Sequence, residues 1–358
     1  MKKILIVILS VMMMITVAGC GKDKQATTSE ESVKRVGILM PKKESPRWIK
    51  DGNNLKTELE KRGYKVDLRN ADNDADTQRA QLQEMLATGT DIFIIAAVDS
   101  TSLSDILIEV KEKNIPVIAY DRLIMNSTAV TYYITFDNRG IGESYGRFVE
   151  KSLGLNDSAN TFNIEIFSGS ADDNNARVIS EGLMGVLQPY IDNGQLKVPS
   201  GKIEFGDTTT HRWRKEEAQN RMNYLLHNVY NDGTKLDAVI CASDGIANGV
   251  IRALDSHHVD SQPIITGQDG DIAAVKYILE GKQSMTLFKD TRLLANQCAR
   301  TVEAIFNGDT IEVNDTSTYN NNIVVVPTYL CQPILVTKDN IKEVLVNSGY
   351  YTAEELGI

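Results

Sequence analysis

From residue 33 onward the chain alternates short, unbroken apolar runs, many of them β-branched, with longer segments in which apolar positions recur every three or four residues. The short runs predict strands at 36–40, 65–69, 92–96, 116–120, 132–136, 163–167, 236–241, 263–266 and 285–288. Between them, 77–87, 103–112 and 214–229 have helical spacing, with Asp76 and Ser100 placed as N-caps of the first two. Gly63, Gly89, Asn114 and Gly281 stand where helices must end before the next strand, and each can take the left-handed conformation that helix ends favour. Strands that are apolar on both faces must be covered on both faces, so the pattern predicts parallel sheets flanked by helices, a doubly wound α/β fold. The rhythm occurs twice, and after Lys289 a further long helix and an apolar run at 323–326 lead to Pro327. The division expected is a first lobe of residues 33–136 and 289–327 and a second of 137–288 and 328–358.

The N-terminus reads as targeting before it reads as structure. Lys2 and Lys3 precede an apolar stretch at 4–17 and then Ala18-Gly19-Cys20. This is the form of an export signal over 1–19, too short and wrongly flanked for a comfortable membrane span. The small pair before a lone cysteine resembles a bacterial lipobox, which makes Cys20 the lipidated first residue of the mature chain. An ordinary secretory signal is the alternative. Residues 20–32 are polar and have almost nothing to bury, as in a flexible tether.

About 325 residues then remain, enough for two domains. The formal charge of −10 becomes about −12 once Lys2 and Lys3 are removed. An acidic surface without basic clusters argues against nucleic acid and suits a neutral small ligand. Cys241, Cys298 and Cys331 are too few and too far apart for a disulfide framework and read as buried free thiols. His211, His227, His257 and His258 lack the spacing and neighbours of a metal site, so they read as solvated and no metal or cofactor is expected.

In open parallel sheets, ligands lie beyond the carboxyl ends of the strands. Those positions hold Arg47 and Trp48, Asp121 and Arg122, Asp172 to Asn175, Ser243 and Asp244, Gln268 and Asp269, and Lys289. Carboxylates accept from neighbouring hydroxyls while Arg and Lys donate to the same oxygens, through bonds roughly twice as strong as neutral ones. A sugar needs that network, because an unpaired buried polar group costs about 1–3 kcal/mol. It also needs an apolar surface for its C–H faces, and the two tryptophans, Trp48 and Trp213, fall in different halves of the chain. Singly, each residue has a plainer reading. Asp173 or Asp244 can be a helix cap, Asp121-Arg122 a surface ion pair, and either tryptophan packing alone.

Taken in order, these segments identify a family. Arg47-Trp48, Ala119-Tyr120-Asp121-Arg122, Thr135-Phe136-Asp137-Asn138, Asp172-Asp173-Asn174-Asn175-Ala176, Gly267-Gln268-Asp269, Phe288-Lys289-Asp290-Thr291 and the tail from Val313-Asn314-Asp315-Thr316 to Gly349-Tyr350-Tyr351 resemble the periplasmic sugar-binding proteins of ABC transporters, in the xylose-binding and multiple-monosaccharide-binding branch. The resemblance implies the type I periplasmic binding protein fold, two Rossmann-like lobes joined by three hinge crossings. The lobes would close over one free monosaccharide of the xylose, arabinose, galactose or glucose type. It makes Arg47, Asp121, Arg122, Asp173, Asn175, Asp269 and Lys289 hydrogen-bonding residues and Trp48 and Trp213 stacking ones. Relatives often have Asn where this chain has Ser243; that contact is then lost, made through water or supplied by Asp244. The implied partners are ABC permease and ATPase subunits, with a chemoreceptor or sensor kinase as the alternative.

Catalysis has no support in the sequence, which lacks a phosphate-binding glycine loop, a nucleophile elbow and a metal cluster. A glycosidase pair of carboxylates is the nearest rival. Here the acids alternate with Arg and Lys that would hold them ionised, which suits binding better than proton transfer. Sugar-responsive repressors share the two-lobed core but begin with a helix-turn-helix, whereas this chain begins with an export signal.

Overall fold

The computed structural model describes residues 33–43, 45–157, 160–259 and 262–358, so the expected signal at 1–19, the tether at 20–32 and Cys20 lie outside the described residues. Lys34–Ile358 forms one compact unit. Its first sheet has six parallel strands in the order β12-β5-β4-β3-β1-β2. They are β1 (Arg35–Met40), β2 (Lys65–Asn70), β3 (Ile92–Ile95), β4 (Val117–Tyr120), β5 (Val130–Phe136) and β12 (Thr328–Cys331). The central β3 and β4 are buried at every residue, while the edge strand β2 is only half-buried.

The remaining strands are β6 (Phe162–Phe167), β7 (Leu196–Lys197), β8 (Ala238–Cys241), β9 (Ile264–Ile265), β10 (Gln268–Asp269), β11 (Thr286–Phe288) and β13 (Ile334–Val336). They form a parallel group β7-β6-β8-β9 and a group β10-β11-β13, in which β13 runs antiparallel to β11. All nine runs read from the sequence contain strands. β7 and β10 are only two residues long, and β12 and β13 are short runs parted by Gln332-Pro333, so none of the four stood out as a strand.

Helices fill the intervals: α1 (Pro46–Lys61), α2 (Ala75–Ala87), α3 (Ile106–Glu112), α4 (Asn138–Leu153), α5 (Asn174–Asp192), α6 (Lys215–Asn228), α7 (Asp244–Ser256), α8 (Ile272–Glu280) and α9 (Thr291–Asn307). Gly63, Gly89, Asn114 and Gly281 have positive φ, as expected of helix ends. The caps differ from expectation. Asp74 rather than Asp76 caps α2, accepting from the Thr77 amide at 2.6 Å, and Asp105 rather than Ser100 caps α3. Ser100 instead accepts from the Asn174 amide at 3.3 Å, a contact between elements of the two halves.

The chain passes between the six-stranded sheet and the other two groups of strands three times, after β5, after β11 and after β12. The last passage corrects the sequence reading. Residues 323–326 form no strand, because Asn321 Oδ1 accepts from the amides of Ile323 and Val324 and turns the chain, leaving Ile323, Val324 and Val325 exposed. The strand begins after Pro327, and β12 pairs with β5, so the chain leaves the first sheet after Cys331 and not at residue 327. Cys241, Cys298 and Cys331 are free and buried. All four histidines are exposed, and among the described residues no group of potential ligands could hold a metal and no helix is long and apolar enough to cross a membrane.

Candidate functional site

Beyond the carboxyl ends of the strands lies a cleft of about 420 Å³, and all eleven residues singled out from the sequence line it: Arg47, Trp48, Asp121, Arg122, Asp173, Asn175, Trp213, Ser243, Asp244, Asp269 and Lys289. Topology explains the convergence. Arg47 and Trp48 open α1, Asp121 and Arg122 follow β4, and Asp173 and Asn175 sit at the start of α5. Ser243 and Asp244 follow β8, Asp269 ends β10 and Lys289 follows β11.

The centre is a network of buried charges drawn from the six-stranded sheet and from the other two groups of strands. Arg47 Nη2 donates to Asp121 Oδ1 at 2.5 Å, its Nη1 lies 3.5 Å from Asp269 Oδ1, and its Nε lies 3.3 Å from Asp51 Oδ2. Lys289 Nζ stands 3.2 Å from Asp269 and 4.0 Å from Asp121. Arg122 reaches across to Asp173 at 3.0 Å and donates to the carbonyls of Ala97 and Val98. Burial opposes ionisation of Asp121, but the charges of Arg47 and Lys289 outweigh it and hold the carboxyl below its usual range. The network is close to neutral; Lys289 and Asp269 each already serve two partners and Arg47 three, as groups that bridge between hydroxyls must.

The backbone of Asp121 adopts a left-handed φ of 59°. Its carbonyl is held by Thr135 Oγ1 at 3.0 Å and, from the other half of the molecule, by Asn175 Nδ2 at 2.7 Å; the Tyr133 hydroxyl lies 2.7 Å away. Arg212, Trp213 and Asp269, with φ of 52°, 56° and 100°, share this unusual region. Such conformations cost on the order of 1–3 kcal/mol each and persist where the surroundings over-determine them, which happens most at ligand sites.

The tryptophans are held differently. Trp48 is 6% exposed and belongs to the core, its ring centroid 4.7 Å from the Arg47 guanidinium and 5.4 Å from that of Arg122. Trp213 lies over Gly169, where a Cβ would fall 2.1 Å from Cη2 of the ring. Its Nε1, together with Gln268 Oε1 and Asn248 Oδ1, is buried without a hydrogen-bond partner in the protein, and all three residues line the cleft. Buried polar atoms are rarely left so, which points to a polar ligand.

Residues 36–310 match the periplasmic binding protein domain. The chain belongs to that family. It is 46% identical over 321 residues to the multiple sugar-binding periplasmic protein SbpA of Azospirillum brasilense, covering 88% of this chain and 89% of that one. It is 34% identical to the D-xylose-binding periplasmic protein of Escherichia coli, covering 90% and 92%. Among solved structures, an ABC transporter solute-binding protein of Clostridium phytofermentans with bound β-D-glucose is 48% identical, with a TM-score of 0.89 over 90% of this chain and all of that one. These relatives are substrate-binding proteins, not enzymes, and the architecture is the type I periplasmic binding protein fold.

Within this binding protein several second-half residues turn out to have two duties. Asp173 caps α5 by accepting from the Asn175 amide at 3.0 Å, and Ser243 caps α7 by accepting from Ile246 at 3.2 Å, so the plainer reading and the site reading coincide. Burial raises the Asp173 carboxyl despite Arg122, against the expectation that every acid here is held firmly ionised. Asp244 has no cation beside it; burial and the charges of Asp271 and Asp269 push it up, while hydrogen bonds from Asp271 and Gln283 pull it back. Its oxygens are occupied by Gly270, Asp271, Thr286 and Gln283, which makes it a brace for the turn after Asp269.

The sequence reading missed the layer behind the network. Asp51 is fully buried, takes a 2.5 Å hydrogen bond from the Tyr120 hydroxyl and orients Arg47. Its position four residues after Arg47 on a helix was the available signal. Asn138, Asn248 and Asp271 also line the cleft, though only burial, invisible in one sequence, separates them from surface residues.

Proposed function

We propose that the protein captures a free monosaccharide between its two halves and delivers it to an ABC importer, with Cys20 as its lipid anchor on the outer face of the membrane. The observation that carries this reading is the Arg47, Asp121, Asp269 and Lys289 network, built from the six-stranded sheet and the β10-β11-β13 group and flanked by an aromatic ring from each half. The glucose-bound relative of 48% identity makes glucose the leading ligand, with xylose, arabinose and galactose next. On this reading the carboxylates accept from ring hydroxyls, Arg47, Arg122, Asn175 and Lys289 donate, and Trp48 and Trp213 cover the C–H faces. Residues 33–136 with 289–331 then move as one lobe against the rest, and closure is favoured because the sugar bridges contacts that only the closed form offers.

Calorimetry against a panel of aldopentoses and aldohexoses tests it. At least one should bind with micromolar affinity or better, about −8 kcal/mol, which is within the ceiling for so small a ligand. No binding across the panel refutes the reading. A receptor role has support in the name of a 46% identical relative, the multiple sugar-binding periplasmic receptor ChvE of Rhizobium radiobacter. If the closed form is presented to a sensor, a sugar response survives deletion of the permease; if it serves only import, the response is lost.

A further inference from the structure

The C-terminal segment reaches the site from behind. The Tyr351 hydroxyl donates to the carbonyl of Gly270 at 3.0 Å, and the Gly270 amide donates to Asp244 Oδ2 at 2.9 Å. The turn that follows Asp269 is therefore gripped from two sides, by a carboxylate on α7 and by a phenol near the end of the chain. It needs gripping, because Asp269 has a φ of 100° and Gly270 one of 76°. Space is equally tight, since a Cβ on Gly270 would lie 2.7 Å from Cδ2 of Phe288.

The same tyrosine faces the first half of the molecule. Lys50, on α1, places its Nζ 4.0 Å from the centroid of the Tyr351 ring and 4.3 Å from that of Tyr350. Helix α1 packs on the six-stranded sheet, whereas both tyrosines pack with Phe288 and Val336 of the β10-β11-β13 group. A cation held over two aromatic rings thus bridges the halves beside the cleft.

We propose that Tyr351 is a positioning residue for the ligand site: by fixing the Gly270 carbonyl it keeps Asp269 within reach of Arg47 and Lys289, and Lys50 ties that arrangement to contact between the two halves. Without the hydroxyl, the Gly270 carbonyl is buried and unpaired, and the turn relaxes towards an unstrained φ, carrying Asp269 with it. The loss falls on ligand release, because the bridging contacts are those that must break for the sugar to leave. The inference deepens the proposed sugar site and rests on that reading for its kinetic part.

Tyr351→Phe keeps the ring under Lys50 and removes only the hydroxyl. Hydrogen exchange of the ligand-free protein should quicken in the peptide covering residues 268–272. With glucose, stopped-flow fluorescence should show release accelerated about 5- to 20-fold and association changed less than about twofold. Asp269→Asn should cost less affinity in the Tyr351→Phe background than in wild type, since the first change has already loosened what the second removes. Unchanged exchange at 268–272, or strictly additive losses, overturns the proposal. If the wild-type protein binds no aldose, the proposed function fails, while the exchange comparison still decides whether Tyr351 fixes the turn.

Discussion

Arg47 Nη2 and Asp121 Oδ1 stand 2.5 Å apart, with side chains 10% and 4% exposed. Asp121 is thus the shared counter-charge of Arg47 and Lys289 in a place that water scarcely reaches. Asp121→Ala leaves both cations without it and removes two acceptors from the cleft. Affinity for glucose should fall at least about 30-fold, equivalent to about 2–5 kcal/mol, with a smaller loss for Asp121→Asn, which keeps one acceptor oxygen. Titration calorimetry measures this, and binding within threefold of wild type would take Asp121 out of the site.

Gly169→Ala tests the second aromatic wall without touching any hydrogen-bonding group. The added methyl would fall on the Trp213 ring and must displace it. Sugar binding should weaken by about 1–3 kcal/mol, comparable with Trp213→Ala. The chain has only Trp48 and Trp213, so indole fluorescence should respond saturably to sugar in wild type and lose much of that response in Gly169→Ala. Early melting with undiminished affinity would show that Trp213 is packing alone.

Asp51 and Asp121 should shape the pH dependence in opposite senses. Burial, opposed in part by Arg47, raises Asp51 from 3.8 to about 6 on folding. A raised carboxyl means the folded state holds the proton more tightly, so its contribution is full below pH 3.8 and fades as pH rises through 6, by roughly 3 kcal/mol. Asp121 is held low, so its contribution is present above the usual carboxylate range and lost on acidification. Asp271, also near 6 through burial and the charge of Asp269, adds to the Asp51 trend. Urea denaturation of Asp51→Asn should therefore show a flatter decline between pH 4 and 6, with the Asp271 part remaining. An unaltered slope would assign that titration elsewhere.

The anchor is tested by fractionation. Wild type should sediment with membranes and Cys20→Ala should not, because stable attachment needs the two or more chains that a lipidated cysteine carries. Equal membrane association of the two proteins would refute lipidation.

Strand runs and strand ends were legible in the sequence because burial on both faces writes itself as unbroken apolar stretches and because parallel topology collects the following residues in one place. Hence Arg47, Asp121, Asp269 and Lys289 could be named together although they lie as much as 242 positions apart. Residues 323–326 misled because Ile323, Val324 and Val325 look like a strand, while the side chain of Asn321 turns the chain there. Asp74 won over Asp76, and Asp105 over Ser100, by matters of one turn that composition does not resolve. Asp51 and Tyr351 were passed over for a different reason. Each supports a cleft-lining residue from behind; for Asp51 the only trace is its spacing of four residues from Arg47, and the contact of Tyr351 with Gly270, 81 positions away, leaves no local spacing to read.

The burial of Cys241, Cys298 and Cys331 has a practical consequence. Burial pushes the Cys331 thiol up to about 12 and the other two higher still, so reactive thiolate is scarce at neutral pH. In a soluble form beginning after Cys20, a cysteine put in place of the exposed His211, two residues before Trp213, would be the one described sulfur open to a maleimide dye. Once Cys20 is left off, the chain is in this respect already prepared as the scaffold of an optical aldose sensor, with no described thiol to strip away first.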